Sequence, residues 1–208
     1  MTTANSVNAQ QTGLWFIHET DPGCSAYHIV FGAEVTADPQ LGVQVREILA
    51  DLRREHDALR IGFRAGPEGP EQFVRDDVPL DIRHTDARGT APEALRDLVR
   101  TDSRSPFDLS QPPLWRVHLY RTGEQTWVFT VVMHHIAADF WSLALLLSEV
   151  RSRLEGTPNR FTLDGAAFAA YAERQQAFLS GENARALLDS EAKRLADVPP
   201  ALDLYGDR

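Results

Sequence analysis

The stretch Trp127-Val128-Phe129-Thr130-Val131-Val132-Met133-His134-His135-Ile136-Ala137-Ala138-Asp139-Phe140-Trp141-Ser142 decides how this chain folds. Trp127, Val128, Phe129, Val131 and Val132 are too continuously apolar for a strand with one solvated face, so the segment reads as a central strand of a covered sheet. Upstream, Leu114 to Arg121 and the turn Thr122-Gly123-Glu124 supply a hairpin partner. Downstream, Phe140 to Leu154 reads as a strongly apolar helix stopped by Gly156 and Pro158. The residues between lie where a buried strand feeds a helix. Such a junction can present reactive groups, because the strand fixes their position while its end opens to a cleft.

Working outward, Gln11, Leu14, Trp15 and Phe16 predict a short helix that stops at Asp21-Pro22-Gly23, and Tyr27 to Val35 predicts a strand. Asp38-Pro39 is a helix-start pattern, and Leu41, Val45, Ile48, Leu49 and Leu52 recur at helical spacing on one face. Ala58 to Arg64 and Gln72 to Arg75 are expected as strands around the turn Gly66-Pro67-Glu68-Gly69, with another short strand near Leu80 to Arg83. Ala91 to Asp102 should be helical. Phe168, Tyr171, Gln175 and Phe178 predict a helix ended at Gly181, followed by a last helix over Glu182 to Ala196. No repeat and no biased tract interrupts the chain. Strands and helices without strict βαβ alternation indicate α+β, with helices flanking an open sheet.

The composition bounds the function classes. The 208 residues are 43% hydrophobic, and 21 Lys and Arg against 30 Asp and Glu leave a formal charge of −9. A chain of this size can bury a core without staples, since a domain of about 150 residues already hides roughly two thirds of its unfolded surface. Cys24 is the only cysteine, which excludes an internal disulfide and a multi-cysteine zinc site. The start Met1-Thr2-Thr3-Ala4-Asn5 lacks the regions of a signal peptide, so a reducing cytoplasm is expected. No apolar run approaches a membrane span, and the acidic balance argues against nucleic acid as partner. A small molecule or another protein remains.

His134 and His135 should point to opposite sides of their strand, so that one faces a cleft while the other is held in the fold. A positioned imidazole can take and return a proton, or hydrogen-bond a developing charge, near neutral pH. Asp139 can orient His135, cap the following helix, or pair with a buried arginine. His-x-x-x-Asp can also supply two metal ligands, but no His-Glu-x-x-His pattern or cysteine cluster accompanies it, so no metal is expected. No Gly-x-Ser-x-Gly elbow is present, and Ser142 reads as a helix residue. His18, His28, His56, His84 and His118 read as surface or satisfied polar positions.

These residues resemble a known family, the condensation domains of nonribosomal peptide synthetases, within the chloramphenicol acetyltransferase-like acyltransferases and their His-His-x-x-x-Asp-Gly motif. Gln11-Thr12-Gly13-Leu14-Trp15-Phe16 is similar to the family's Gln-x-x-Leu-Trp-Phe. Arg54 to Phe63 resembles its Arg-His-Glu-x-Leu-Arg-Thr-x-Phe segment, with Glu55 and His56 aligned loosely. Phe107-Asp108-Leu109 and Pro113-Leu114-Trp115-Arg116 resemble the block before the hairpin, and Leu202 to Arg208 is similar to the stretch that closes the first lobe.

The resemblance implies a chloramphenicol acetyltransferase-like lobe with an open mixed sheet flanked by helices. Residues 1–198 would form the N-terminal lobe of a condensation domain and 199–208 the start of the inter-lobe linker. It implies amide formation between an acyl or peptidyl donor and an aminoacyl acceptor, each held on a peptidyl carrier protein by phosphopantetheine, with no cofactor on this chain itself. His135 would act, either accepting the amine proton or positioning the amine and stabilising the tetrahedral intermediate. His134 and Asp139 would support it, with Arg60 as the positional match for the aspartate's arginine partner. Phe140 stands where the family has glycine and, with Trp141 and Ser142, would shape the tunnel. The tunnel lies between two similar lobes, so the C-terminal lobe would be a missing partner and this chain alone an inactive half. Two other readings are a non-catalytic module that recruits carrier proteins and a coenzyme A-dependent acyltransferase of the same superfamily.

Overall fold

In a computed structural model, residues 4–67, 69–157 and 165–198 are described. Two sheets and six helices make up this part of the chain. The larger sheet has four strands in the order β2-β7-β6-β5: β2 is His28–Thr36, β5 Ile82–Asp86, β6 Trp115–Arg121 and β7 Thr126–His134. The hairpin β6-β7 is antiparallel, as is β2 against β7, whereas β5 runs parallel to β6. The sheet is therefore open and mixed, as the resemblance implied, and β7 lies inside it and is buried along most of its length. Its continuous apolar run thus reflects neighbours on both edges and cover on both faces.

The two strands expected on either side of residues 66–69 do pair, but in a second, smaller sheet whose separateness and third strand were not anticipated. β1 (Ala4–Ser6) pairs with β4 (Gly69–Val74), which forms an antiparallel hairpin with β3 (Ile61–Gly66). Three residues of the strand expected from Ala58 instead lie in a 3-10 turn, Asp57–Arg60, and the strand begins at Ile61. A tertiary bond accompanies that turn: Leu59 offers its carbonyl to the indole Nε1 of Trp115 at 2.9 Å. The strand expected near Leu80 lies two residues later, because its position is fixed by pairing Ile82 with Val117.

Helix α1 (Ala9–Thr20) opens on a capping box in which Asn8 and Gln11 each accept the other's backbone N–H, at 2.8 and 3.0 Å. In α2 (Leu41–Glu55), the predicted stripe is buried at Leu41, Val45, Leu49 and Leu52. The helix lies close enough to β5 that a Cβ on Gly42 would overlap the His84 ring, which explains glycine there. Helix α3 spans Pro92–Arg104, and α4 spans Phe140–Leu154 as predicted, with Gly156 just beyond it in the left-handed region at φ 65°. Helices α5 (Gly165–Leu179) and α6 (Glu182–Leu195) follow. The expected linker at 199–208 lies outside the described residues. Among the described residues no helix is long and apolar enough to cross a membrane.

The larger sheet has two unlike faces. On one, Trp115, Val117, Leu119, Phe129, Val131 and Met133 pack against the apolar stripes of α2 and α4. On the other, Val132 joins Ile61, Phe63, Phe107, Leu109, Leu114 and Ile136 in a second core, beside buried His118, Thr130, His134 and Arg116. Helix α3 ties into this second face. Asp102 accepts the Tyr120 hydroxyl and lies 2.9 Å from His118 Nδ1, while His118 Nε2 bonds Thr85 Oγ1 at 2.8 Å.

Candidate active site

The end of β7 is held on both sides before the chain turns away. His134 donates its backbone N–H to Leu114 O at 2.9 Å, and His135 donates to Tyr27 O at 2.8 Å. The turn that follows closes through Ala137 N–H to His134 O at 3.0 Å. Strand alternation then sends the two imidazoles into opposite environments, as expected.

His134 is buried, with the rings of His18, His28 and Phe107 around it at centroid distances of 6.0, 5.8 and 6.3 Å. Its Nδ1 accepts the Ile136 backbone N–H at 3.1 Å, which places the proton of the neutral ring on Nε2. Burial, reinforced by the neighbouring histidines, pushes its pKa down to about 3. His134 is therefore neutral at physiological pH and holds the turn. His28, expected as a surface or satisfied polar position, is satisfied: it packs against His134 and donates Nδ1–H to Ser103 O at 2.8 Å. Burial lowers its pKa too.

His135 is exposed. Its Nδ1 must donate to Ala138 O at 2.9 Å, since a carbonyl only accepts. In the neutral ring this leaves the lone pair on Nε2, which makes no hydrogen bond among the described residues. The tautomer is the one needed for Nε2 to accept a proton, and a backbone carbonyl rather than a carboxylate sets it.

Of the roles open to Asp139, the structure selects the cap. Its Oδ1 accepts Ser142 N–H at 2.7 Å and Ser142 Oγ–H at 2.6 Å, starting α4. Those bonds lower the Asp139 pKa. The expected partnership with Arg60 is not made: Arg60 bonds Asp57 at 2.5 Å and Asp76 at 3.1 Å. Arg60 closes the 3-10 turn, where the carboxylate three residues earlier is its nearest partner, and Asp139 is engaged at a helix end by Ser142. Phe140 and Trp141 are 73% and 70% exposed beside the cap, so this face of the chain is open and apolar.

The sequence marked Gln11 as part of the first helix and of the opening family block, but gave it no place at the site. Besides its part in the cap of α1, its Nε2 donates to Ile136 O at 3.1 Å, and the side chain is buried. One amide thus joins the start of α1 to the histidine turn. The Asn8-to-Gln11 spacing was a legible capping signal, but the bond across 125 residues was not.

A second polar cluster lies behind the site, between α2 and α4. His56 Nε2 is 3.3 Å from Glu149, and Arg153 bonds both Glu149 and Glu55. Their ligand atoms lie near enough together to hold a cation, but the guanidinium already bridges both carboxylates. The cluster reads as an ion network fastening the two helices.

Comparison with known proteins agrees with this geometry. Phosphinothricin tripeptide synthetase PhsC of Streptomyces viridochromogenes is 30% identical over 207 residues, 95% of this chain, and PhsB of the same organism is 31% identical over 208 residues, 96% of the chain. The chain spans only 19% and 17% of those proteins. A four-domain nonribosomal peptide synthetase bound to AMP and glycine superposes with a TM-score of 0.81 and 34% identity over 91% of this chain and 14% of its own. The first condensation domain of the calcium-dependent antibiotic synthetase shares the fold at a TM-score of 0.81 and 19% identity, matching 96% of this chain and 49% of its own. The Condensation domain model matches residues 2–189. With the paired histidines at the end of the central strand and a match over nearly its whole length, the chain belongs to the condensation-domain family of nonribosomal peptide synthetases.

Proposed function

We propose that this chain, over residues 1–198, is the histidine-bearing lobe of an acyltransferase that joins a carrier-bound acyl or peptidyl thioester to a carrier-bound aminoacyl thioester. The observation that carries the reading is the state of His135, whose Nδ1 is tied to Ala138 O while Nε2, on an open face, makes no hydrogen bond among the described residues. In the reaction, the acceptor amine attacks the donor thioester carbonyl. A C–N bond forms, the C–S bond breaks, and the donor's pantetheine leaves as a thiol. Nε2 either takes the amine proton or fixes the amine by accepting its hydrogen bond. His134, neutral and internal, holds the turn, and Asp139 holds the helix after it. Tethering both substrates supplies the proximity that a free amine and thioester lack.

Phosphopantetheine would arrive on donor and acceptor carrier proteins. A second lobe would cover the open face at Phe140 and Trp141, turning it into a wall of the tunnel; the match to about half of a solved condensation domain supports this. A cytoplasmic setting belongs to the same reading. The test is amide formation from loaded donor and acceptor carriers in the parent synthetase. His135→Ala should lower the rate about a hundredfold or more with carrier binding unchanged. Unchanged product would instead favour a recruiting role. Turnover by the 208-residue chain alone would overturn the need for a second lobe.

A further inference from the structure

On the polar sheet face, beside the packing of His134, one buried cation has no ion-paired carboxylate among the described residues. Arg116 on β6 is 5% exposed, yet no Asp or Glu among the described residues lies within ion-pairing distance of it. Its Nη2 donates to the Ser105 carbonyl, its guanidinium carbon sits 3.9 Å above the Phe107 ring, and its Nε has no hydrogen-bond partner among the described residues. Burial lowers its pKa, but an arginine still keeps its proton in proteins. A charge so placed is costly, and the Asp81 and Asp102 carboxylates favour it only from beyond ion-pairing distance.

The surroundings supply room and further charge of the same sign. Arg116 lines a groove of about 620 Å³ together with Phe107, Gln111, Arg75 and Arg83. The strand register explains the convergence. Arg83 on β5 lies opposite His118, two residues beyond Arg116 on β6, so the two arginines are diagonal neighbours on one sheet face. Arg75 reaches the groove from the end of β4 and bonds Gln111 Oε1 at 3.2 Å, again with no carboxylate in ion-pairing range among the described residues. The groove's two carboxylates are already engaged: Asp81 takes both bonds from Arg83, and Asp108 accepts from Ser110. Three arginines against two carboxylates leave the lining one positive charge in excess, in a chain whose overall charge is −9.

We propose that this groove is an oxyanion site that takes a phosphate group, with Arg116 at its floor and Arg75 and Arg83 at its rim. Guanidinium forks match the paired oxygens of phosphate, and burial strengthens the attraction. The stacked Phe107 holds the Arg116 guanidinium plane in place. The inference does not rest on the acyltransfer reading, because it concerns binding through arginines outside the histidine turn; Phe107 packs against both Arg116 and His134.

Inorganic phosphate and a phosphorylated organic ligand share this chemistry. The test is an NMR titration of the 208-residue protein at constant ionic strength with inorganic phosphate, with 4′-phosphopantetheine, and with pantetheine as the control lacking phosphate. Saturable shifts of the Ser105, Phe107 and Gln111 amides with both phosphate compounds, and none with pantetheine, are expected. Comparable affinities for the two would identify free phosphate as the ligand, and tighter binding of the organic compound a phosphorylated one. Arg75→Gln with Arg83→Gln, both at the rim, should weaken binding about tenfold or more while leaving the thermal midpoint nearly unchanged. Arg116→Lys should also weaken it, because a point charge cannot reproduce the fork. Shifts that do not saturate, saturable pantetheine binding in the groove, or unchanged phosphate affinity in the double variant would overturn the proposal.

Discussion

The two faces of the four-stranded sheet are made by the same strands from residues one step apart, and different physics keeps each in the fold. On the helix-covered face, Leu119, Val131 and Met133 are buried among apolar side chains, where the gain is area removed from water. On the opposite face, Arg116, His118, Thr130 and His134 are equally buried, but they remain there because hydrogen bonds and stacked rings replace water. An apolar core tolerates sliding and repacking, whereas a buried polar network works in one arrangement. The histidine turn follows β7, whose His134 lies on this polar face.

The largest effect is expected on the apolar face. Leu119 is fully buried, and Leu119→Ala should cost about 2–5 kcal/mol in urea unfolding, since buried apolar surface is lost and a cavity is left behind. On the polar side, Gln11→Ala strands the Asn8 N–H and the Ile136 carbonyl, and it should cost about 1–3 kcal/mol. Its distinctive signature is faster amide hydrogen exchange at both Asn8 and the histidine turn.

The two faces should also separate with pH. The folded pKa of His134 is about 3 and those of His28 and His118 are lowered, so the unfolded chain binds protons that the folded chain does not. Stability is then fully present above about pH 6.5 and falls as pH drops below it, continuing for His134 toward its folded value. Each such histidine contributes at most about 1.4 kcal/mol per pH unit. His134→Asn keeps an acceptor for Ile136 but does not titrate, so the slope of the unfolding midpoint between pH 7 and 5 should flatten. An unchanged slope would remove His134 from that account.

Smaller effects are expected at the edge of the turn. Asp139→Ala should cost about 1 kcal/mol, the usual value of an N-cap, in thermal unfolding. Combined with Arg60→Ala, the losses should add within about 0.5 kcal/mol, because each residue has its own partners. A larger coupling would restore the pair that the family resemblance implied.

Much of the fold was legible in the sequence because it followed from local periodicity. The continuous apolar run of Trp127 to Met133 marked the central strand, and Leu41 to Leu52 marked the helix that covers it. Errors arose where long-range pairing set the outcome. Ala58 to Arg60 have nothing in their own pattern that favours a 3-10 turn over a strand, and the two-residue shift of β5 is fixed by its partner at Val117. At the site, alternation separated His134 from His135, but their states came from Ile136 and Ala138 on the turn itself.

By itself the sequence determined the strand, the turn and the helix that carry the paired histidines, since apolar spacing and turn chemistry act between neighbours along the chain. It also determined the family, through blocks spread over nearly all of its length. Only the tertiary structure decided which imidazole is internal and neutral, that Asp139 caps rather than pairs with Arg60, and that Gln11 braces the turn. Those outcomes depend on burial and on hydrogen-bond partners brought together from up to 125 residues away, and spacing along a chain carries no record of either.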